Sequence, residues 1–274
     1  MKKLILLLLA DLFILTICFA EKYPFIDNKY ISSPDEFYYF GENKFEIQEY
    51  DSEGNLVVHS YECRYVEKEA YLVAKIKNAD ETKELYIFCA DKEHVIFYNK
   101  SNGSITACSR FIGHRDEPWI WSAFDISSTS ALSENLNGQI INYPAENLKI
   151  SLLNKSWVEG VKGSGIGEAV SFSNCGKGSR RIYFINGFFS PEKPSLFYDN
   201  NRVKKLKINC YDEYGKLTDV VEKTVADTGH MQIIDFNERY SKFDFIIEEV
   251  YPGRKYDDTA ITGIFLDALD LYRK

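Results

Sequence analysis

The stretch 156–172 constrains the fold more than any other. It reads Ser-Trp-Val-Glu-Gly-Val-Lys-Gly-Ser-Gly-Ile-Gly-Glu-Ala-Val-Ser-Phe, with glycines at 160, 163, 165 and 167 behind Trp157. Glycine at this density supplies positive φ and close backbone approach. Residues 169–172 then alternate apolar and polar, as a half-buried strand does. A phosphate-binding glycine loop needs a strand before it and a helix after it. Here a strand follows, and neither the dinucleotide spacing nor a Gly-Lys-Ser/Thr ending is present. The stretch therefore predicts a tight loop joining a Trp-bearing strand to the next strand of an all-β chain.

The first twenty residues read as a signal peptide. Lys2 and Lys3 precede an apolar run, and Cys18-Phe19-Ala20 puts small residues at −3 and −1 before Glu21. The run is short for a spanning helix, and Asp11 would be costly in mid-membrane. Lipidation at Cys18 is the lesser reading, because Ile17 stands where a small residue is normally found. The expected address is an export route to the periplasm, cell surface or exterior, with no membrane-spanning segment.

Removing this segment takes two Lys and one Asp from 33 basic and 41 acidic residues, leaving 31 and 40, a net charge of −9. Such a surface argues against nucleic acid as a partner. Aromatics make up 15% of the chain, with 19 Tyr and 19 Phe, which favours strands. Cys63, Cys89, Cys108, Cys175 and Cys210 survive cleavage, an odd number with no Cys-x-x-Cys spacing. Disulfides in an oxidising compartment and buried unpaired thiols on strands both remain open.

Residues 21–125 predict a small β-meander domain of unassigned role. Alternation over Lys44–Tyr50, a turn at Asp51-Ser-Glu-Gly-Asn55, strands near 56–66, 70–77, 84–89, 94–99 and 104–111, and a turn at Lys100-Ser-Asn-Gly103 give the spacing of consecutive hairpins. His59, His94 and His114 are scattered and read as ordinary surface or core histidines rather than ligands. Pro118 interrupts the pattern, and Trp119 and Trp121, two apart, are expected to pack between domains.

Residues 126–274 predict a second unit of about eight strands, including 182–188, 203–210, 217–225, 231–236, 242–250 and 260–266, with no helical pattern of useful length. That is the signature of an antiparallel β-sandwich or jelly roll.

Three motifs in this half carry a resemblance. Trp-Val-Glu-Gly-Val-Lys-Gly-Ser-Gly-Ile-Gly-Glu (157–168) resembles the signature of the NADase-type glycan-binding domain, a discoidin-like, galactose-binding-like fold of bacterial exported proteins. Ile185-Asn-Gly-Phe188 with Asp199-Asn-Asn-Arg-Val-Lys-Lys-Leu-Lys-Ile208 is similar to its second signature, and Val250-Tyr-Pro-Gly-Arg-Lys-Tyr-Asp-Asp-Thr259 to its third. The resemblance spans about 127–267 and implies carbohydrate binding without catalysis. Two places depart from the family. Lys149-Ile-Ser-Leu-Leu-Asn-Lys155 replaces an acidic, glycine-containing loop, and Ala260-Ile-Thr-Gly263 replaces Cys-Ile-Ser-Glu. Calcium needs several oxygen ligands with carboxylates among them, so no structural metal is expected, and no cofactor.

A sugar site needs an aromatic platform and planar polar groups in clustered loops. The candidates are Glu159, Tyr198, Asn200, Asn201, Arg202, Tyr256 and Asp257, with Trp157 either ligand-binding or, preferably, core. Arg202 would supply bidentate contacts, and the mix suits a neutral or mildly acidic saccharide. Residue by residue the plainer readings are turns at Tyr251-Pro-Gly and Asn200-Asn201 and a solvated Lys204-Lys205. No Gly-x-Ser-x-Gly or His-Glu-x-x-His occurs. The expectation is a non-enzymatic carbohydrate-binding protein of the bacterial envelope, whose partner is a glycan or glycoconjugate. The alternatives are an envelope structural or protein-interaction protein that keeps the fold without binding sugar, and an enzyme whose activity lies in 21–125.

Overall fold

The computed structural model describes residues 23–113, 120–174 and 178–267. The expected signal segment 1–20, with Cys18, and His114, Pro118, Trp119 and Cys175 lie outside the described residues. Among the described residues, no helix is long and apolar enough to cross a membrane.

Eight strands come first: β1 (Asn28–Ser33), β2 (Glu36–Phe40), β3 (Lys44–Tyr50), β4 (Leu56–Lys68), β5 (Tyr71–Lys77), β6 (Thr82–Cys89), β7 (His94–Asn99) and β8 (Ile105–Arg110). Each pairs antiparallel with the next, and β1 closes on β8 through Tyr30 opposite Arg110 and Ile31 opposite Ser109. The result is a closed barrel. An eight-stranded barrel is just wide enough for its own side chains to fill. Here Phe25, Tyr30, Phe40, Phe45, Leu72, Leu85, Val95 and Phe97 pack together inside. Cys63, Cys89 and Cys108 join them as free, buried thiols, and Cys210 is free and buried in the second unit. Burial pushes the Cys63 thiol up to about 11 and that of Cys210 to about 12. These four are therefore small apolar residues, neither bridged nor reactive.

The barrel wall is not uniform. On β3 and β4 apolar and polar residues roughly alternate, and the outer face is largely open to water. On β5, β6 and β7 the runs Tyr-Leu-Val-Ala, Leu-Tyr-Ile-Phe-Cys and His-Val-Ile-Phe-Tyr are buried on both faces. A strand that reads as a continuous apolar run is one covered on both sides.

What covers this wall is the rest of the chain. Strands β9 (Ile120–Ser122) and β10 (Phe124–Ser128) come first, then a separate hairpin of β11 (Ser133–Leu136) and β12 (Gln139–Asn142). Two short 3-10 turns, Ala145–Leu148 and Ile150–Leu152, lead to β13 (Trp157–Val158). The chain continues through β14 (Ala169–Ser173), β15 (Ser179–Asn186), one helical turn α1 (Leu196–Asp199), β16 (Asn201–Tyr211), β17 (Leu217–Thr224), β18 (Gln232–Tyr240), β19 (Lys242–Tyr251) and β20 (Thr259–Asp267).

Ten of these strands form one hydrogen-bonded sheet along the path β10-β14-β19-β16-β20-β15-β18, with β17 on β16 and β9 and β13 on β20. Neighbours run antiparallel except where Asn201 and Arg202 meet Thr259 and Ala260 in parallel. Phe172, Phe245 and Leu206 from one end of that path share a single cluster with Ile182, Ile234 and Ile264 from the other. The sheet is therefore folded over a common core. Because β9 pairs with β20 and β10 with β14, residues 120–125 belong with this sheet and not with the barrel, where the sequence reading had put them.

Barrel and sheet meet on a buried aromatic seam. Phe189 lies 5.1 Å from Tyr71, 5.2 Å from Tyr86, 5.1 Å from Phe88 and 5.6 Å from Tyr98 between ring centroids. The Tyr71 hydroxyl donates to the Phe188 carbonyl at 2.9 Å, and the Tyr86 hydroxyl to that of Pro191 at 3.1 Å. Gly229 lies against the Tyr71 ring, where a Cβ would collide with it. His94 is also here and fully buried: its Nδ1 is 2.8 Å from Ser109 Oγ and its Nε2 3.5 Å from Asp267 on β20. It is a core histidine of the seam. Of the Trp pair expected to pack between the units, Trp121 is 38% exposed, and its neighbour Ile120 is the residue that enters the seam.

A seam of this kind couples the two units. Phe189→Ala should cost about 3–5 kcal/mol by leaving a cavity among four aromatic rings. Calorimetry of the intact chain should show one cooperative transition. Two well-separated transitions, with the barrel melting alone, would contradict the coupling.

Candidate functional site

The three motifs that stand far apart in the sequence meet at one end of the folded sheet. Thr259 N–H donates to Glu159 Oε1 at 3.3 Å, and the Thr259 hydroxyl to the Ser164 carbonyl at 2.7 Å. Asn201 accepts from Gly253 N–H at 2.6 Å and donates to the Asp257 carbonyl. Lys255 pairs with Asp199 at 2.9 Å. The loops before β14, before β16 and before β20 are thus one structure.

Several residues expected to face a ligand instead hold this structure together. Trp157 is fully buried in the core, and its indole N–H donates to the Ser130 carbonyl at 2.9 Å. Glu159 is buried, with one oxygen accepting from Val161 N–H at 2.8 Å and the other from Thr259. Burial holds its carboxyl above the usual carboxylate range; the two backbone donors oppose that, while Asp258 and Glu168 add to it. Gly165, at φ +66°, lies directly against the Glu159 side chain, where any Cβ would collide. The glycine loop is wound around a carboxylate of its own chain.

Arg202, expected to make bidentate contacts with a ligand, makes them with Asp227 at 2.9 and 2.8 Å. Its Nη1 also donates to the carbonyls of Asn200 and Pro252, both at 2.9 Å, and the side chain is almost wholly buried. No fork remains for a sugar. Tyr198 lies 5.4 Å from the Arg202 guanidinium and 4.8 Å from that of Arg254, packed at the edge of the seam. Asn201 is buried in its two backbone bonds.

What remains open is a cleft of about 200 Å³ beside this knot. Its aromatic walls are Tyr143, Phe188 and Tyr256; its aliphatic floor is Leu132, Leu136, Val158 and Leu196; its polar groups are Glu134, Asn200 and Asp258. Tyr256 is 44% exposed. Asp257, next to it, is also exposed. Tyr143 and Phe188 meet edge to face at 5.8 Å, and the Tyr143 hydroxyl donates to Glu134 Oε2 at 3.2 Å. Burial and that carboxylate push Tyr143 up to about 12. Asp258 is likewise raised, by burial first and then by Glu134 and Asp257.

Of the residues singled out from the sequence, Tyr256 and Asn200 line the cleft. Glu134, Tyr143, Phe188 and Asp258 line it too and were not singled out as site residues. The missed signal was Asn137-Gly138, the strongest short hairpin signal, with both residues at positive φ. It makes β11–β12 the projecting arm that carries Glu134 and Leu136 to the cleft. The stretch 149–155 forms a 3-10 turn without a carboxylate, and among the described residues no group of three or more His, Cys, Asp or Glu side chains is placed to hold a metal ion.

Trp157→Ala should cost about 3–5 kcal/mol, and Glu159→Ala about 2–3 kcal/mol by orphaning two buried backbone donors. Tyr256→Ala should leave the melting temperature nearly unchanged. Thermal melts of the three variants check this. A large loss for Tyr256→Ala, or none for Glu159→Ala, would contradict the division between knot and cleft.

Residues 120–267 match the family described as the NAD glycohydrolase translocation F5/8 type C domain. No curated protein matches the chain. The chain is similar to a family 32 carbohydrate-binding module from Clostridium perfringens NanJ in complex with galactose, at 17% identity and TM-score 0.36, over 52% of this chain and 90% of that one. It is similar to CpGH89CBM32-5 from Clostridium perfringens, in complex with GalNAc-β-1,3-galactose, at 11% identity and TM-score 0.38, over 52% and 93%. It is also similar to the Streptococcus pyogenes NAD+-glycohydrolase translocation domain, at 25% identity and TM-score 0.29, over 38% and 89%. Through residues 120–267, more than half of its length, the chain belongs to the NAD glycohydrolase translocation F5/8 type C family of discoidin-like domains.

Proposed function

We propose that this chain is an exported, non-enzymatic carbohydrate-binding protein of the bacterial cell envelope, with a discoidin-like sandwich as its binding module and the cleft at Tyr256 as its site. The leader-like segment 1–20 supports export, and the family of residues 120–267 supports a binding role. The observation that carries the reading is the cleft. Three aromatic side chains, an amide and two carboxylates converge on a concavity at the loop end of the sheet. Sugar rings offer apolar C–H faces to aromatic walls and hydroxyl edges to planar polar groups. At about 200 Å³ the cleft is smaller than the 300–1,000 Å³ typical of drug-sized ligands. It suits one terminal sugar residue, bound weakly at a single site.

The barrel of residues 23–113 acts in this reading as a scaffold joined to the module through the aromatic seam. Its filled interior supports that role over a catalytic one. A second reading, a protein-interaction module, is supported by the match of residues 120–267 to a translocation-domain family. It predicts a protein ligand in place of a glycan.

The mature chain should bind a defined subset on a glycan array. Tyr256→Ala should weaken that binding at least tenfold with little change in melting temperature. A blank array for the folded wild-type protein would sink the glycan reading and leave the protein-interaction one.

A further inference from the structure

We propose that the cleft selects saccharides carrying a protonated amine: Glu134 and Asp258, set among the rings of Tyr143, Phe188 and Tyr256, form an ammonium site. This rests on the glycan reading above and names the class of sugar.

The acids of the neighbouring knot are answered within the chain, Asp227 by Arg202 and Asp199 by Lys255. Among the described residues, no lysine or arginine pairs with Glu134, Asp257 or Asp258. Glu134 and Asp258 therefore stand on the cleft wall as like charges, half withdrawn from water and with no lysine or arginine among the lining residues; the exposed Asp257 lies beside them. Each carboxylate raises the cost of ionising the next, and Asp258 is raised for that reason as well as by burial.

The chemistry of the donors points the same way. An ionised carboxylate only accepts hydrogen bonds, and an ammonium offers three donors and no acceptor. Tyr143 fixes one oxygen of Glu134 and leaves the other for a ligand. The three rings add attraction for a cation at their faces. The same wall disfavours the competitors. A sugar acid would bring a third negative charge to it, and an N-acetyl group would place a neutral amide and a methyl where a charge-assisted bond is available. The expectation of a neutral or mildly acidic saccharide rests on a mix that includes a free Arg202 guanidinium, and that guanidinium is engaged inside the protein.

The test is a calorimetric titration of the intact chain with a β-1,4-linked glucosamine trisaccharide and with its fully N-acetylated counterpart, at mildly acidic pH, where the sugar amine carries its proton, and at low salt. The amine form should bind about tenfold more tightly, a gap that narrows as salt is raised. Glu134→Gln and Asp258→Asn should each bring the ratio of the two affinities close to one, with melting temperatures checked to keep folding apart from binding. Equal or tighter binding of the N-acetylated sugar by the wild type would overturn the ammonium site and leave the glycan reading standing. An unchanged ratio in both variants would also overturn it. No binding of either sugar, together with a blank glycan array, would remove both. Equal capture of a lysine oligopeptide would show that bare charge and not a sugar is recognised, and would overturn the proposal.

Discussion

The loop end of this protein depends on a buried guanidinium. Arg202 stands at the first residues of β16, where that strand runs briefly parallel to β20, and ties three loops to one another. Leaving such a charge without its partner is costly; removing one member of a buried pair typically costs about 3–5 kcal/mol. Asp227 is partly open to water, so the cost here falls toward the lower end of that range. Glu159 plays the complementary part on the other side, a buried carboxylate satisfied by backbone donors of its own glycine loop and of β20. Two opposite charges, each neutralised by the protein, hold the loops in one arrangement. The cleft can then be shaped by residues that have no structural duty.

A division of labour follows. The residue types that make a motif conspicuous (Trp, Gly, Glu, Asn, Arg) are here the ones that fix backbone geometry. The residues that meet solvent in the cleft are less conspicuous: a tyrosine after a turn, a phenylalanine after β15, and two acids on an arm and a strand end. In this chain the conspicuous motif residues mark the fold, and the cleft is lined by their less conspicuous neighbours and by the β11–β12 arm.

Much of the fold was legible. The hairpin spacing of 44–111 follows from turn residues and period-two runs, and the glycine stretch predicts a strand-to-strand loop. Barrel closure was not legible, because β1 and β2 are short, aromatic and split by Pro34-Asp35, and closure rests on a β1–β8 pairing nearly eighty residues apart. The seam left a trace in the unbroken apolar runs of β5 to β7, which a single barrel has no use for. The candidate cleft is half legible: Tyr256 and Asn200 carry a sequence signal, while Glu134 and Tyr143 sit on or beside a hairpin whose Asn-Gly turn is the clue. Burial decided the rest, since nothing in a sequence distinguishes an arginine that reaches outward from one folded back onto an aspartate.

In the proposed function, ligand is held in the cleft between the β11–β12 arm and the turn before β20. Backbone and side-chain NMR shift mapping of the intact chain, during titration with a saccharide that binds, tests it most directly. The account predicts that the perturbed signals centre on Glu134, Tyr143, Phe188, Tyr256 and Asp258, with Trp157 and the barrel interior unmoved. Perturbations centred on the barrel, or on the far strands β17 and β18, would contradict it.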